Sequence, residues 1–131
     1  MKKRILIADD DAEMRDEVAE ILKDEGYEVR TVGDGKAVLK LIKKQKFDAL
    51  LLDLKMPVMT GFELLKELDA KKIRIKTIVL TGSILGSSLP GEKGMSYEEK
   101  RRILKLADIV INKPFDIVKL IETVKRYTSE K

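Results

Sequence analysis

The 131-residue sequence contains no cysteine, no histidine and no tryptophan. Without cysteine there is no disulfide framework, no thiolate metal site and no cysteine nucleophile. Without histidine there is no serine–histidine triad, no imidazole-bound zinc and no phosphohistidine on this chain. Three Phe and three Tyr leave few rings to stack on bases or on a flavin. Long apolar runs are also missing. The start, MKKRILIADDD, has a basic opening and a short apolar stretch before three acids, too short for a signal peptide or a membrane span. The protein is therefore expected to be cytoplasmic, with no membrane contact. Its chemistry must rest on carboxylates, hydroxyls and amines.

What is present fits one folded domain. The length suits a single unit with a real core, and 44% hydrophobic with 38% charged residues is the balance of a compact chain rather than a disordered one. The net charge of +4 raises the question of nucleic acid. The cations are scattered, however, over Lys2-Lys3-Arg4, Lys43-Lys44-Lys46, Lys71-Lys72-Arg74-Lys76 and Lys100-Arg101-Arg102, with acids among most of them. That distribution reads as solvated surface, and no direct nucleic-acid binding is expected.

Two periodicities alternate along the chain. Apolar runs at residues 5–8, 49–52, 77–80 and 109–111 have no face meant for water, as in buried parallel strands. Residues 27–32 form a more polar strand and belong at a sheet edge. Between them lie helical patterns: Met14, Val18, Ile21 and Leu22 stopped by Gly26, then Ala37, Val38, Leu41 and Ile42, then Phe62, Leu65 and Leu68. Thr60 with Glu63, and Ser96 with Glu99 ahead of Ile103 and Leu106, have capping-box spacing. Asp116 is placed to cap a last helix carrying Leu120, Ile121, Val124 and Tyr127. Five strands alternating with five helices imply an α/β fold, a doubly wound parallel sheet covered on both faces. The segment GSILGSSLPGEKGM, residues 82–95, is a long loop, read as a mobile insertion in preference to a lid.

Ligands of such sheets bind beyond the carboxyl ends of the strands. There the first strand ends in Asp9, Asp10 and Asp11, the third in Asp53, the fourth in Thr81 and the fifth in Lys113. Asp11 directly precedes a helix and is expected to cap it. Asp9, Asp10 and Asp53 with Lys113 sum to −2. Two carboxylates about 4 Å apart repel by roughly 4 kcal/mol at an effective dielectric of about 20, so one acid must stay protonated or a cation must join them. Few carboxylates with neither imidazole nor thiolate favour a hard, oxygen-seeking ion, Mg²⁺ before Ca²⁺. A carboxylate, Mg²⁺, a hydroxyl and a lysine around one pocket make a phosphoryl-transfer site. Asp53 would attack phosphorus, while Thr81 and Lys113 would stabilise the transferring oxygens.

The motifs ILIADDD, LLLDLKMPVMTGFELL, TIVLTGS and INKPF resemble, in order and over nearly the whole chain, the receiver domain of two-component response regulators. The resemblance implies a flavodoxin-like strand order 2-1-3-4-5 and a single receiver domain over residues 1–131. Only Thr128-Ser129-Glu130-Lys131 follow the fifth helix, so no output domain is expected. It further implies that Asp53 takes a phosphoryl group from a phosphohistidine on a sensor histidine kinase, or from a small donor such as acetyl phosphate. Asp10, Asp53 and the backbone carbonyl of Lys55 would hold Mg²⁺, with Asp9 on metal-bound waters. Thr81 and Lys113 would grip the phosphoryl oxygens, and Lys113–Pro114 would be cis. Such a domain holds one phosphoryl group and is not a turnover enzyme. It would signal through the face made by the fourth helix, fifth strand and fifth helix, where Arg101, Arg102, Lys105, Lys119 and Glu122 are candidates by position; the downstream protein is unknown.

Two features depart from the usual pattern. Val110 stands where the family often has an aromatic residue that moves with the threonine. Lys55, two residues after Asp53, resembles the pattern of stand-alone phosphorelay members, and with Ser83 it is a candidate for setting the hydrolysis rate. Among rivals, a haloacid-dehalogenase-type phosphatase also uses an aspartate nucleophile, Thr, Lys and Mg²⁺, and Asp9 with Asp11 has its spacing. It would leave Asp53, with the KMP and KPF motifs, unexplained. A flavodoxin-like cofactor binder would need a Ser/Thr-rich loop in place of DDDAEM.

Overall fold

The computed structural model describes residues 2–82 and 94–129. Among these, strands and helices alternate: β1 (Arg4–Ala8), α1 (Ala12–Asp24), β2 (Glu28–Val32), α2 (Gly35–Lys44), β3 (Ala49–Asp53), α3 (Gly61–Ala70), β4 (Lys76–Thr81), α4 (Tyr97–Leu104), β5 (Ile109–Asn112) and α5 (Ile117–Thr128). All strand pairs are parallel, in the order β2-β1-β3-β4-β5. The more polar strand, β2, lies at an edge, as its composition requires.

The unbroken apolar strands have a simple cause. Successive side chains point to opposite faces, and here both faces are covered. Leu6, Ala8, Leu50, Leu52 and Val79 pack with Val38, Phe62, Leu65, Leu68 and Ile103, so α2, α3 and α4 cover one face. Ile5, Ile7, Leu51, Ile78 and Leu80 pack with Val18, Leu22, Leu120 and Val124, so α1 and α5 cover the other. Each fully buried Leu or Ile contributes about 1.5–3 kcal/mol relative to exposure. The chain has no polar face to spare in β3, all of which is buried.

Helix starts follow the local chemistry. The side chains of Asp11, Asp34 and Asp116 accept N–H groups of the first turns of α1, α2 and α5. Thr60 and Glu63 form the complete capping box on α3. At α4 only half of the expected box is made, Ser96 Oγ accepting from the Glu99 N–H. α4 also ends sooner than the apolar spacing predicts. The N–H groups of Leu106 and Ala107 turn back tightly to the carbonyls of Ile103 and Leu104, which leaves Leu106 exposed and puts Leu104 in the core in its place. The Lys113–Pro114 bond is cis, as expected. Ser83 and most of the 82–95 loop lie outside the described residues.

Candidate functional site

At the carboxyl end of the sheet, parallel register brings the strand tips level. Asp53 closes β3 opposite Leu80, and Thr81 closes β4 opposite Asn112, the residue before Lys113. Asp9 and Asp10 leave the end of β1. Carboxylate oxygens of Asp9, Asp10 and Asp53 lie within 4.8 Å of one another. Asp9, Asp53 and Thr81 are buried and Asp10 faces solvent. The Lys113 ammonium reaches over them, 3.3 Å from Asp9 Oδ2 and 3.6 Å from Asp53 Oδ1. The structure thus gathers the five side chains singled out in the sequence at one edge.

Asp9 is held on every side. Its N–H donates to the Val32 carbonyl, its Oδ1 accepts from the Asp11 N–H and its Oδ2 meets Lys113. Arg15 Nη1 donates to its carbonyl oxygen at 3.0 Å. Asp53 is less well satisfied. Burial, then the neighbouring Asp9 charge, push its carboxyl up from 3.8 to about 7, against the pull of Lys113 and of a hydrogen bond from the Lys55 N–H; Asp10 adds to the rise. Burial and Asp9 thus disfavour its ionised form even with the Lys113 ammonium alongside. That is the quandary set by three carboxylates against one lysine. A divalent cation resolves it, so the donor set fits Mg²⁺.

After β3 the chain turns tightly into α3. A Cβ on Gly61 would stand 2.7 Å from the Asp53 carbonyl oxygen and from Leu54 Cα, so only glycine lets α3 begin directly under the end of β3. The Gly61 N–H donates to the Leu54 carbonyl at 2.9 Å. Between them Val58 takes φ 67° while Met59 N–H turns back to the Pro57 carbonyl. A β-branched residue in that region is strained by about 1–3 kcal/mol. Val58 is 74% exposed, so its side chain recovers nothing by burial.

The response regulator receiver domain family matches residues 5–125 of this sequence. The chain belongs to that family. It is 32% identical over 127 residues to sporulation initiation phosphotransferase F of Bacillus subtilis, spanning 97% of this chain and 94% of that protein. It is 37% identical to response regulator RR06 of Streptococcus pneumoniae, spanning 92% of this chain but 51% of the relative. Among solved structures, a CheY-like receiver domain protein from Methanospirillum hungatei shares 34% identity and a TM-score of 0.79, covering 96% of this chain and 93% of that one. Response regulator TrrA from Thermotoga maritima, in complex with Mg(2+)-BeF, shares 31% and a TM-score of 0.75, covering 95% and 98%. The receiver is a two-component phosphoacceptor, as expected from its motifs, and the phosphatase reading finds no support.

One feature lay beyond the sequence reading. No role was expected for Arg15, a cation in an acidic helix, which turns inward to Asp9. Val110 is half-buried on β5 against the cluster that holds Ile103 and Leu104. The ring that often occupies this position in the family is replaced by an aliphatic contact. Among the described residues no helix is long and apolar enough to cross a membrane.

Proposed function

We propose that Asp53 is the residue that receives the phosphoryl group, in a Mg²⁺-dependent reaction, and that the donor is a phosphohistidine on a sensor kinase in the cytoplasm. The observation that carries this is the convergence of Lys113 and two further carboxylates on a buried Asp53. Asp53 Oδ attacks phosphorus, an O–P bond forms, and the bond from phosphorus to the donor's imidazole nitrogen breaks with its electrons leaving on the donor. Asp10, Asp53 and the Lys55 carbonyl would hold Mg²⁺, with Asp9 acting through water. Asp9 suits that outer place because both of its carboxylate oxygens already have partners. When bound, Mg²⁺ neutralises charge on the transferring oxygens. Lys113 serves the same oxygens by exchanging its contact with Asp53 for one with the phosphoryl group. Thr81, one residue past the level of Asp53 at the end of the next strand, donates its hydroxyl. That TrrA is found in complex with Mg(2+)-BeF supports the metal.

The phosphorylated aspartate carries nearly a full extra negative charge. It pulls on Thr81 and Lys113, which end β4 and β5 and lead toward α4 and α5. A coupling of about 1–3 kcal/mol shifts partner affinity about 5- to 150-fold. Arg101, Arg102, Lys105, Lys119 and Glu122 are all exposed around α4 and α5 and form the candidate docking surface for a downstream protein. As a receiver unit, residues 1–131 act through protein contacts, without binding nucleic acid directly. They hold one phosphoryl group at a time rather than turning over substrate. Lys55 is exposed beside the site, and its replacement by alanine tests its part in the acyl-phosphate lifetime.

Intact-mass spectrometry after incubation with acetyl phosphate tests the reading. One phosphoryl adduct is expected on the wild type with Mg²⁺, and none without Mg²⁺ or on Asp53→Ala. An adduct that survives in Asp53→Ala refutes it.

A further inference from the structure

We propose that Arg15 is a positioning residue for the metal site, holding the Asp9 main chain so that the Asp9 carboxylate faces Asp53 and Lys113. The inference rests on the Mg²⁺-dependent reading above and extends it to a residue on α1 that carries none of the family motifs.

Arg15 does not behave as a surface cation of an acidic helix. Asp11, one turn earlier, is its natural partner across the helix surface, yet no ion pair joins them among the described residues; Asp11 is occupied with the Met14 N–H. Arg15 instead turns inward, and Nη1 donates to the Asp9 carbonyl oxygen at 3.0 Å. The turn inward has a cost: Nε is buried with no acceptor. A buried donor without a partner is unfavourable, and the side chain could relieve it by swinging to solvent. The fold leaves it room to stay inside. Gly33, at the end of β2, has no Cβ, and one added there would lie 3.0 Å from Nη1. The same strand end supplies the Val32 carbonyl that accepts the Asp9 N–H. Arg15 and Val32 thus clamp the main chain of Asp9 from two sides. That fixes the direction in which its carboxylate leaves the strand, toward Lys113 at 3.3 Å.

Arg15 also brings a second cation behind the acids. With Lys113 alone the three carboxylates leave −2; with Arg15 the local charge is −1. The two roles predict opposite signs for a variant without the charge. If Arg15 acted through its charge alone, removing it would strengthen binding of a divalent cation. If it positions Asp9, removing it weakens binding, as loss of an outer partner of a metal site does by about 10-fold or more.

The test is a titration of the full chain with Mg²⁺ alone, followed by amide chemical shifts at the carboxyl edge, on the wild type, Arg15→Met, Gly33→Ala and the double variant. Thermal melting without metal checks that each is folded. Arg15→Met is expected to weaken Mg²⁺ binding by about 10-fold. Gly33→Ala, which keeps the charge but crowds the guanidinium, should weaken it in the same direction and by less. The double variant should lose no more than Arg15→Met, because both changes act through one contact. A loss of less than about threefold in Arg15→Met, or tighter binding, overturns the inference. If Arg15→Met does not fold, Gly33→Ala decides alone, and unchanged affinity there overturns it. A wild type that binds no Mg²⁺ removes the underlying reading as well. A wild type that binds, with variants that match it, removes only this one.

Discussion

At the amino end of the sheet, Asp48 and Asp108 each look after a strand start. Asp48 Oδ2 accepts the Arg4 N–H at 2.7 Å and Asp108 Oδ2 accepts the Thr77 N–H at 2.8 Å. Around them a cavity of about 700 Å³ is lined by Lys72, Arg74, Lys76 and Lys105 as well as by acids, so charges of both signs mix in contact with water. At the carboxyl end, Asp9 and Asp53 are buried, face one another, and share a single ammonium, that of Lys113. The residue types are the same and their use is opposite. Where backbone donors satisfy a carboxylate, it is part of the scaffold. Where carboxylates are buried against each other with too few donors, the site holds unresolved charge that a cation and a phosphoryl group can settle.

The sharpest way to break this contrast is at Lys113. Lys113→Met leaves two buried acids facing each other, and a loss of about 2 kcal/mol in unfolding free energy is expected. The loss stays this small because Asp53 can take up a proton and the lysine keeps 21% of its side-chain exposure. Added Mg²⁺ should recover part of it, and urea melts with and without metal read both numbers.

The next effect is on pH. Asp53 has its carboxyl raised from 3.8 to about 7 by burial and by Asp9. The folded state therefore binds this proton more tightly than the unfolded chain. Its contribution is fully present below about pH 4 and is lost as pH rises through about 7. Without metal, this group should make the protein progressively less stable from about pH 4 to about pH 7, and Asp53→Asn should flatten that slope. With saturating Mg²⁺ the slope flattens, since the metal holds this carboxylate ionised in the folded state, as it already is in the unfolded chain. Stabilisation by Mg²⁺ should therefore grow over the same range. Melts across that range, with and without Mg²⁺, in wild type and Asp53→Asn, check both slopes.

The smallest effect belongs to the amino end. Asp108→Ala removes one acceptor from the Thr77 N–H, and a loss of about 1 kcal/mol is expected. Phosphorylation and Mg²⁺ affinity should not change. If they do, the two ends of the sheet are not independent and the contrast drawn here fails.

Much of this was legible in the order of residues. Strands buried on both faces announce themselves as runs such as ALLLD, and each run ends on the group that the parallel register then lines up with its neighbours. Caps are local, and Asp11, Thr60 and Asp116 act where their spacing puts them. Features that depend on tertiary packing were not legible. Arg15 in AEMRDEVAE has the look of one more solvated charge, and only the space left by Gly33 shows why it turns inward. Leu106 matched the helical spacing as well as Leu104 did, and the tight turn after Ile103 decided between them. The need for glycine at position 61 became clear only when the Asp53 carbonyl lay 2.7 Å from where a Cβ would be. The upward shift of the Asp53 carboxyl follows first from its burial, which no spacing encodes.

The most direct measurement locates the phosphoryl group. Borohydride reduction of the acetyl-phosphate-treated protein converts an acyl-phosphorylated aspartate to homoserine, and peptide mass spectrometry finds its position. Homoserine at position 53 alone, formed only when Mg²⁺ was present, is the predicted result. Homoserine at position 9 or 10, or an equal yield without the metal, would contradict the assignment of Asp53 as the acceptor in a metal-dependent pocket.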